Sequence, residues 1–429
     1  MALGSLTTRL KTLLKSGTFA RNVLTLMTGT TLAQAIPILA APILTRIYTP
    51  ADFGVLALFV AITSVLGAIA TARYELAIML PQDDEDALNL VALGVTIAIT
   101  MSICMLVIVA VFNQQIAALL GNPDMAPWLY AAPLVVMLLG AYNALRYFNL
   151  RHKHFGTVAA ATAYKAGGGT GVQLLLGTFV LGPAGLLIGH VFSHVAGNTS
   201  LLLNVLRQPG STSSLSRTRA KGLASKYADF PKFSLWAVLA NSLSHNLINV
   251  FISIIYTSAT LGFYALVKRV LGTPTTLIGR AVGDVFFQRA AAEKRETGRA
   301  VQTFTGTLRL LLAIAVPFYA LLYLISEPLF AFVFGEEWRV AGTYAKILAP
   351  LLGLQFVSSP LSTVSAVFEK QRISLLWQLG LLVLTIGIFA LASYTSMPVA
   401  TFLVTYSTVI SAYYLFKLWL SYAISRGLL

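Results

Sequence analysis

Charge is what this sequence has least of. Across 429 residues only 10 % are Asp, Glu, Lys or Arg, against 57 % hydrophobic, and the mean hydropathy is +0.78. An ordinary soluble domain carries about 25 % charged residues. A chain this poor in charge cannot cover a water-facing surface, which excludes a cytosolic globular enzyme and a disordered protein. A single cysteine, Cys104, excludes an internal disulfide and a cysteine-based metal site. Acidic residues are the scarcer sign, 15 against 30 basic, for a net charge of +15. No small-residue cleavage site follows the basic start at Arg9, Lys11, Lys15 and Arg21, so an uncleaved start is expected. What remains is a polytopic helical membrane protein.

A membrane helix needs roughly 20 mostly apolar residues. Such runs predict twelve spans, near 22–45, 53–72, 87–112, 127–148, 157–181, 184–205, 232–256, 261–286, 304–325, 343–367, 374–393 and 398–422. With both termini cytoplasmic, most basic residues fall on the inner side, Arg73, Arg151, Arg217, Arg219 and Lys417 among them. Only Arg46, Arg339 and Lys346 fall outside. This asymmetry is the positive-inside rule, and it accounts for the net charge through contacts with membrane lipids, without nucleic acid as a partner. The acidic run Asp83–Asp86 reads as an N-terminal cap on the third span.

The sequence repeats itself. Residues 47–58 (IYTPADFGVLAL) and 255–266 (IYTSATLGFYAL) are identical at seven of twelve positions, offset by 208. An offset of six spans preserves orientation, so the halves are parallel repeats. The expected fold is all-α: about twelve transmembrane helices in two parallel-repeat six-helix lobes around a central cavity. The lobes are 1–206 and 232–429, and a Ser-, Arg- and Gly-rich cytoplasmic linker, 207–231, joins them.

The segments R-I-Y-T-P-x-D-F-G from Arg46, R-Y-E-L-A-I-x-L-P from Arg73, G-F-Y-A-L-V-K-R from Gly262 and F-G-E-E-W from Phe334 carry a family likeness. Together they resemble the polysaccharide transporter family of the multidrug/oligosaccharidyl-lipid/polysaccharide superfamily, the flippases for lipid-linked O-antigen, capsule or exopolysaccharide repeat units. The resemblance implies alternating access between two lobes in a bacterial inner membrane, and a functional role for Arg73 and Glu75. It also implies a polysaccharide polymerase and chain-length regulator proteins as partners. Read from sequence alone, Arg73 and Glu75 are interface anchors at the inner end of the second span.

Charges inside spans are the strongest functional signal, because each costs roughly 2.5–3.5 kcal/mol at the bilayer centre unless it meets water or a partner. Lys268 and Arg269 lie seven or eight residues into the eighth span, about 10–12 Å deep. Arg280 follows Arg269 by three helical turns and shares its face, with Asp284 positioned to pair with it. Lys165 lies in the fifth span, free to snorkel or to enter a cavity; Arg309 is expected to snorkel. Asn241, His245 and Asn249 form a polar stripe on the seventh span. Gln34, with Thr28 and Thr31, does so on the first, where Pro37 and Pro42 free backbone carbonyls. These stripes suit sugar hydroxyls or interhelical hydrogen bonds.

His190 and His194 stand at i, i+4 without a third ligand, so packing is favoured over a metal site. The glycines after Lys165 are no phosphate loop, because the lysine precedes them; Gly167 and Gly171 read as close helix packing. No cofactor motif is present.

A cationic, polar cavity suits an anionic amphiphile. The expected substrate is an isoprenoid-diphosphate-linked oligosaccharide carried from the cytoplasmic to the outer leaflet. A drug/cation antiporter would want an embedded carboxylate, and only Glu75, Asp284 and Glu369 lie near span ends. A polysaccharide polymerase or ligase would want a substantial outer loop.

Overall fold

A computed structural model describes residues 18–179, 182–207 and 215–428. Among them every regular element is a helix. The first span is broken by its prolines: α1 (Thr18–Leu39) ends beyond Pro37, and α2 (Ala41–Ile47) restarts with Pro42 in its first turn. Then follow α3 (Pro50–Gly67), the single turn α4 (Tyr74–Ala77) and α5 (Asp84–Leu119). The second span therefore stops short of the expected 72. The third outruns the expected 87–112 and bends at Phe112, where φ is −114°. After the turn α6 (Ala126–Leu129) come α7 (Ala132–Arg151), α8 (Phe155–Gly177), α9 (Ala184–Leu206) and the short α10 (Arg217–Lys226). The remainder is α11 (Leu235–Ile255), α12 (Ser258–Val267), α13 (Thr273–Thr297), α14 (Val301–Phe334), α15 (Arg339–Leu361), the turn α16 (Val364–Val367), α17 (Gln371–Tyr394) and α18 (Val399–Ser425).

Among the described residues nine helices are long and apolar enough to cross a membrane, or ten counting one pair bent by 53°. The expected fifth and eighth spans, α8 and the α12–α13 stretch, lie outside that set. They are the two that carry Lys165 and the Lys268, Arg269 and Arg280 group.

The chain packs as two units, Met1–Tyr48 with Leu58–Asn246, and Thr49–Ala57 with Leu247–Leu429. In the first unit, α8 and α9 approach closely where both are small. A Cβ on Gly169 would stand 2.6 Å from the Ser193 side chain, and one on Gly189 would stand 2.8 Å from the Gly169 carbonyl. The expected pair Gly167 and Gly171 does not make this contact: Gly171 has open space around it. The helix face turned to α9 is the one 169 occupies. A buried apolar cluster (Tyr74, Ile78, Leu88, Leu145, Phe148 and Val205) takes in Leu223 of α10, which docks the linker helix on this unit.

In the second unit the two repeats meet each other. A Cβ on Gly54 would lie 1.8 Å from the Ser258 carbonyl oxygen, and one on Gly262 would lie 1.7 Å from that of Pro50. Ser258 and Gly262 are the repeat partners of Pro50 and Gly54, so the contact is reciprocal. Both helix starts use the same device. Thr49 Oγ1 accepts from the Asp52 N–H and donates to its carboxylate (3.3 and 2.8 Å), as Thr257 Oγ1 accepts from the Thr260 N–H and pairs with its hydroxyl (3.2 and 3.0 Å). Fully buried Trp338 of the F-G-E-E-W segment packs edge-on against Phe53 and Phe263, with ring centroids 5.0 and 5.7 Å away. Three of the four segments that carry the family likeness thus converge on one structural cluster.

Candidate functional site

The fourth segment builds a polar knot. Past Gly67 the chain runs through turns to Ala72 (φ 50°) and Arg73 (φ 68°), consecutive non-glycine residues in the left-handed region. Such residues cost of order 1–3 kcal/mol each and persist only where the surroundings fix them. Here the fixing group is Glu75, 1 % exposed, which accepts from Arg73 Nη1 at 2.8 Å and from the Thr71 hydroxyl. Arg73 Nε reaches Ser234 Oγ at 3.4 Å, and the Tyr74 hydroxyl donates to the Ala224 carbonyl at 2.9 Å. Glu75 is therefore a buried, paired carboxylate rather than an interface anchor. The sequence carried no sign of Ser234 as a partner, since it lies 161 residues away.

The eighth span departs from α-helix where its charges sit. Lys268–Gly272 form a π-helical turn between α12 and α13. Pro274 brings no N–H to the carbonyl four residues before it, at Val270, and a wider turn absorbs that loss. The Thr275 hydroxyl takes up the Leu271 carbonyl at 2.6 Å and pairs with the Tyr319 hydroxyl at 2.8 Å. Lys268 and Arg269 are both half-buried, and their side chains make no hydrogen bond or ion pair among the described residues. The side chain of Arg280 lies outside the described ones, so its expected pairing with exposed Asp284 does too. The proline was the readable signal for the irregular turn.

Lys165 turns onto an aromatic face in the first unit, with its Nζ 5.1 Å from the Tyr142 ring centroid. Both side chains close over Gly197, whose missing Cβ would stand 3.2 Å from Tyr142 and 3.4 Å from Lys165. One turn before Gly197's neighbour Asn198, buried His194 packs edge-on against His190 with centroids 4.9 Å apart. Among the described residues no cluster of three or more His, Cys, Asp or Glu could hold a metal ion.

The polar stripes are less concentrated. Asn241 and His245 are exposed, while Asn249 and Gln34 are half-buried. Asn246 spends its amide on the Ser242 carbonyl of its own helix, at 2.9 Å. Arg309 is exposed at the start of α14.

Two placements differ from expectation. The acidic run does not cap α5 through its side chain at Asp83. Asp84 instead pairs with Arg151 (2.9 Å) and His152 (3.2 Å), and Glu85 pairs with Arg219 of α10. Lys417, counted from the sequence among the cytoplasmic-side residues, is buried in the protein. It is 2 % exposed inside α18, with its Nζ 4.8 Å from the Trp377 ring centroid, and Trp377 stacks on Tyr413. Only the neighbouring helix shows it held by aromatics.

The site residues thus gather in small groups rather than one. Arg73 and Glu75 bond to each other, Lys268 and Arg269 share the π turn, and Lys165 rests on Tyr142.

Comparison with known proteins matches residues 43–342 to the family described as polysaccharide biosynthesis protein. The succinoglycan biosynthesis transport protein ExoT of Rhizobium meliloti is 24 % identical over 357 residues, 82 % of this chain and 68 % of that protein. Among solved structures, the lipid II flippase MurJ in an inward closed conformation superposes with a TM-score of 0.73 at 10 % identity, covering 93 % of this chain and 87 % of that one. An inward-facing multidrug resistance transporter of the MATE family and MOP superfamily gives 0.66 at 13 % identity, with 93 % and 95 % covered. Identities this low speak for the fold, an all-helical transporter fold. On the family match, this multi-pass membrane chain belongs to the polysaccharide biosynthesis protein family.

Proposed function

We propose that the protein is a flippase. It carries isoprenoid-diphosphate-linked oligosaccharide repeat units from the cytoplasmic to the outer leaflet of a bacterial inner membrane, by alternating access of its two repeated lobes. One observation carries the reading: two adjacent cations, Lys268 and Arg269, sit on an irregular turn within the expected eighth span and have no acidic partner among the described residues. Unpaired charge in that setting is costly and needs an external counter-ion. A diphosphate supplies one, through charge-assisted hydrogen bonds that lysine and arginine both make. Arg280, Lys165 and the stripes at Gln34, Asn241, His245 and Asn249 would add cationic and hydroxyl-binding groups along the path. An inside-negative potential contributes about 2.3 kcal/mol per outward-moving negative charge per 100 mV.

The antiporter reading fits less well. Among the described residues the buried carboxylates are Glu75, which is paired with Arg73, and Asp52, which is bonded to Thr49 at the start of α3. A polymerase or ligase is disfavoured by the brevity of the inter-helix segments; 120–131 and 335–338 hold only turns and short helical turns. The proposed activity involves no bond chemistry and no cofactor.

The test is transport of a fluorescent lipid-linked oligosaccharide in proteoliposomes. Lys268→Ala and Arg269→Ala are expected to lower the initial rate at least tenfold while the thermal midpoint stays unchanged. Wild-type rates in both variants would remove the basis of the reading.

A further inference from the structure

Helices α8 and α9 pack tightly at Gly169 and Gly189, and along one side of their seam a groove of about 820 Å3 runs toward the end that carries His154 and Arg207. Its deep end is bounded by Tyr164, Gly168 and Phe192, and its mouth by Thr157, Asn204 and Arg207. From Phe192 to Arg207 is fifteen residues, about 22 Å at 1.5 Å per residue. Half of a hydrocarbon core of about 30 Å is close to 15 Å. The groove therefore spans one leaflet plus its interface, entered from the side where the basic loops gather.

The two ends differ in chemistry. Tyr164 and Phe192 are 59 % and 44 % exposed, so the deep walls are apolar surface that something must cover. At the mouth Arg207 is the single charge lining the groove, and it has no acidic partner among the described residues. The mouth is also held in place. Asn204 Nδ2 donates to Asn149 Oδ1 at 2.6 Å and to His154 Nδ1 at 2.8 Å. Burial first, and His152 second, lower the pKa of His154, which keeps its ring a neutral acceptor for that bond.

We infer that this groove is a docking site for the isoprenoid phosphate portion of the lipid carrier, with the chain against Tyr164 and Phe192 and a phosphate oxygen on Arg207. A one-sided cation and a single apolar slot that ends beside Gly168 and Phe192 fit an amphiphile with one chain and one anionic end. A two-chain phospholipid would leave its second chain outside. The inference rests on the reading of the substrate as isoprenoid-linked. It adds a waiting position on the cytoplasmic leaflet, on helices other than the one bearing Lys268 and Arg269.

Native mass spectrometry of the full chain, titrated with polyprenyl phosphate and separately with phosphatidylglycerol, tests it. Ala196→Trp fills the groove from its α9 wall, and Arg207→Ala removes the charge from an exposed position that tolerates truncation. Polyprenyl phosphate affinity should fall at least tenfold in Ala196→Trp and about fivefold in Arg207→Ala. Arg217→Ala, an exposed cation on the linker helix, should leave it unchanged. Equal binding of phosphatidylglycerol, lost in the same variants, would make the groove an ordinary phospholipid contact and overturn the assignment. Unaltered polyprenyl phosphate binding in both groove variants would overturn it as well. Lys268→Ala separates the two readings. Intact groove binding without transport supports both. Transport at the wild-type rate with groove binding still sensitive to Arg207→Ala fails the transport site and leaves the groove.

Discussion

Arg73 and Lys268 are both basic residues at a break in a helix, and the molecule treats them in opposite ways. Arg73 is bound by Glu75 and Ser234, on a backbone forced into the left-handed region. Lys268 and its neighbour Arg269 stand on a π turn with no counter-charge among the described residues. The first arrangement is finished: Arg73 and Glu75 pair with each other, and their value is to hold this end of the first unit together. The second leaves its cations without a partner among the described residues, and on the proposed function an anionic ligand supplies it. Sequence alone read Arg73 and Glu75 as interface anchors, and only the family resemblance set them beside Lys268 and Arg269 as functional candidates; their partners separate the two groups.

The contrast can be broken in several ways. The largest effect is expected at the repeat crossing. Gly54→Leu or Gly262→Leu would drive a side chain into a backbone carbonyl less than 2 Å from where its Cβ would stand. We expect loss of the folded, membrane-inserted protein, read as absent monodisperse material on size exclusion. Recovery of stable protein would mean the two repeat helices separate without penalty.

Next comes the finished pair. Glu75→Ala leaves half-buried Arg73 unmatched, which costs up to about 3–5 kcal/mol, seen as a drop in thermal midpoint in detergent. Lys268→Ala and Arg269→Ala should leave that midpoint in place while transport falls. If Glu75→Ala spares stability and abolishes transport instead, the two groups exchange roles.

Lys417 sharpens the point, since its buried ammonium faces only the Trp377 ring among the described residues. Lys417→Met should be neutral or stabilising, because it removes a buried cation and keeps the volume. A destabilised Lys417→Met protein would give the lysine a counter-charge in the folded state.

The smallest effect is at Glu293, outside the membrane stretches. Burial opposes its ionisation, but the Thr303 side chain and N–H and the Gln302 N–H bind the carboxylate, and its pKa lies below the ordinary glutamate value. A depressed pKa stabilises the fold above the unfolded-state value, and this contribution fades as pH falls through the folded-state value. The midpoint of the wild type should therefore decline on acidification below the usual glutamate range, and Glu293→Gln should flatten that decline.

Much of the architecture was legible in residues 47–58 and 255–266. Their shared Thr cap, tyrosine and glycine predicted a duplication, and the reciprocal contact of Gly54 and Gly262 is its physical expression. The mid-span cations were legible too, because charge stands out in an apolar run. The pairing of Glu75 was not, since its setting depends on Thr71 and on Ser234 from a helix far along the chain. Nor was the glycine register between α8 and α9. Four glycines in five positions leave the helix face undecided until the partner helix selects Gly169.

Composition by itself determined that this chain lives in a bilayer. Scarce charge cannot satisfy a watery surface, and long apolar runs must close their backbone hydrogen bonds as helices. It determined as well that a few basic residues lie within those helices. Which of these find a partner within the protein and which have none among the described residues was decided only in three dimensions, because a counter-charge acts through a few ångströms of space and not through its distance along the chain.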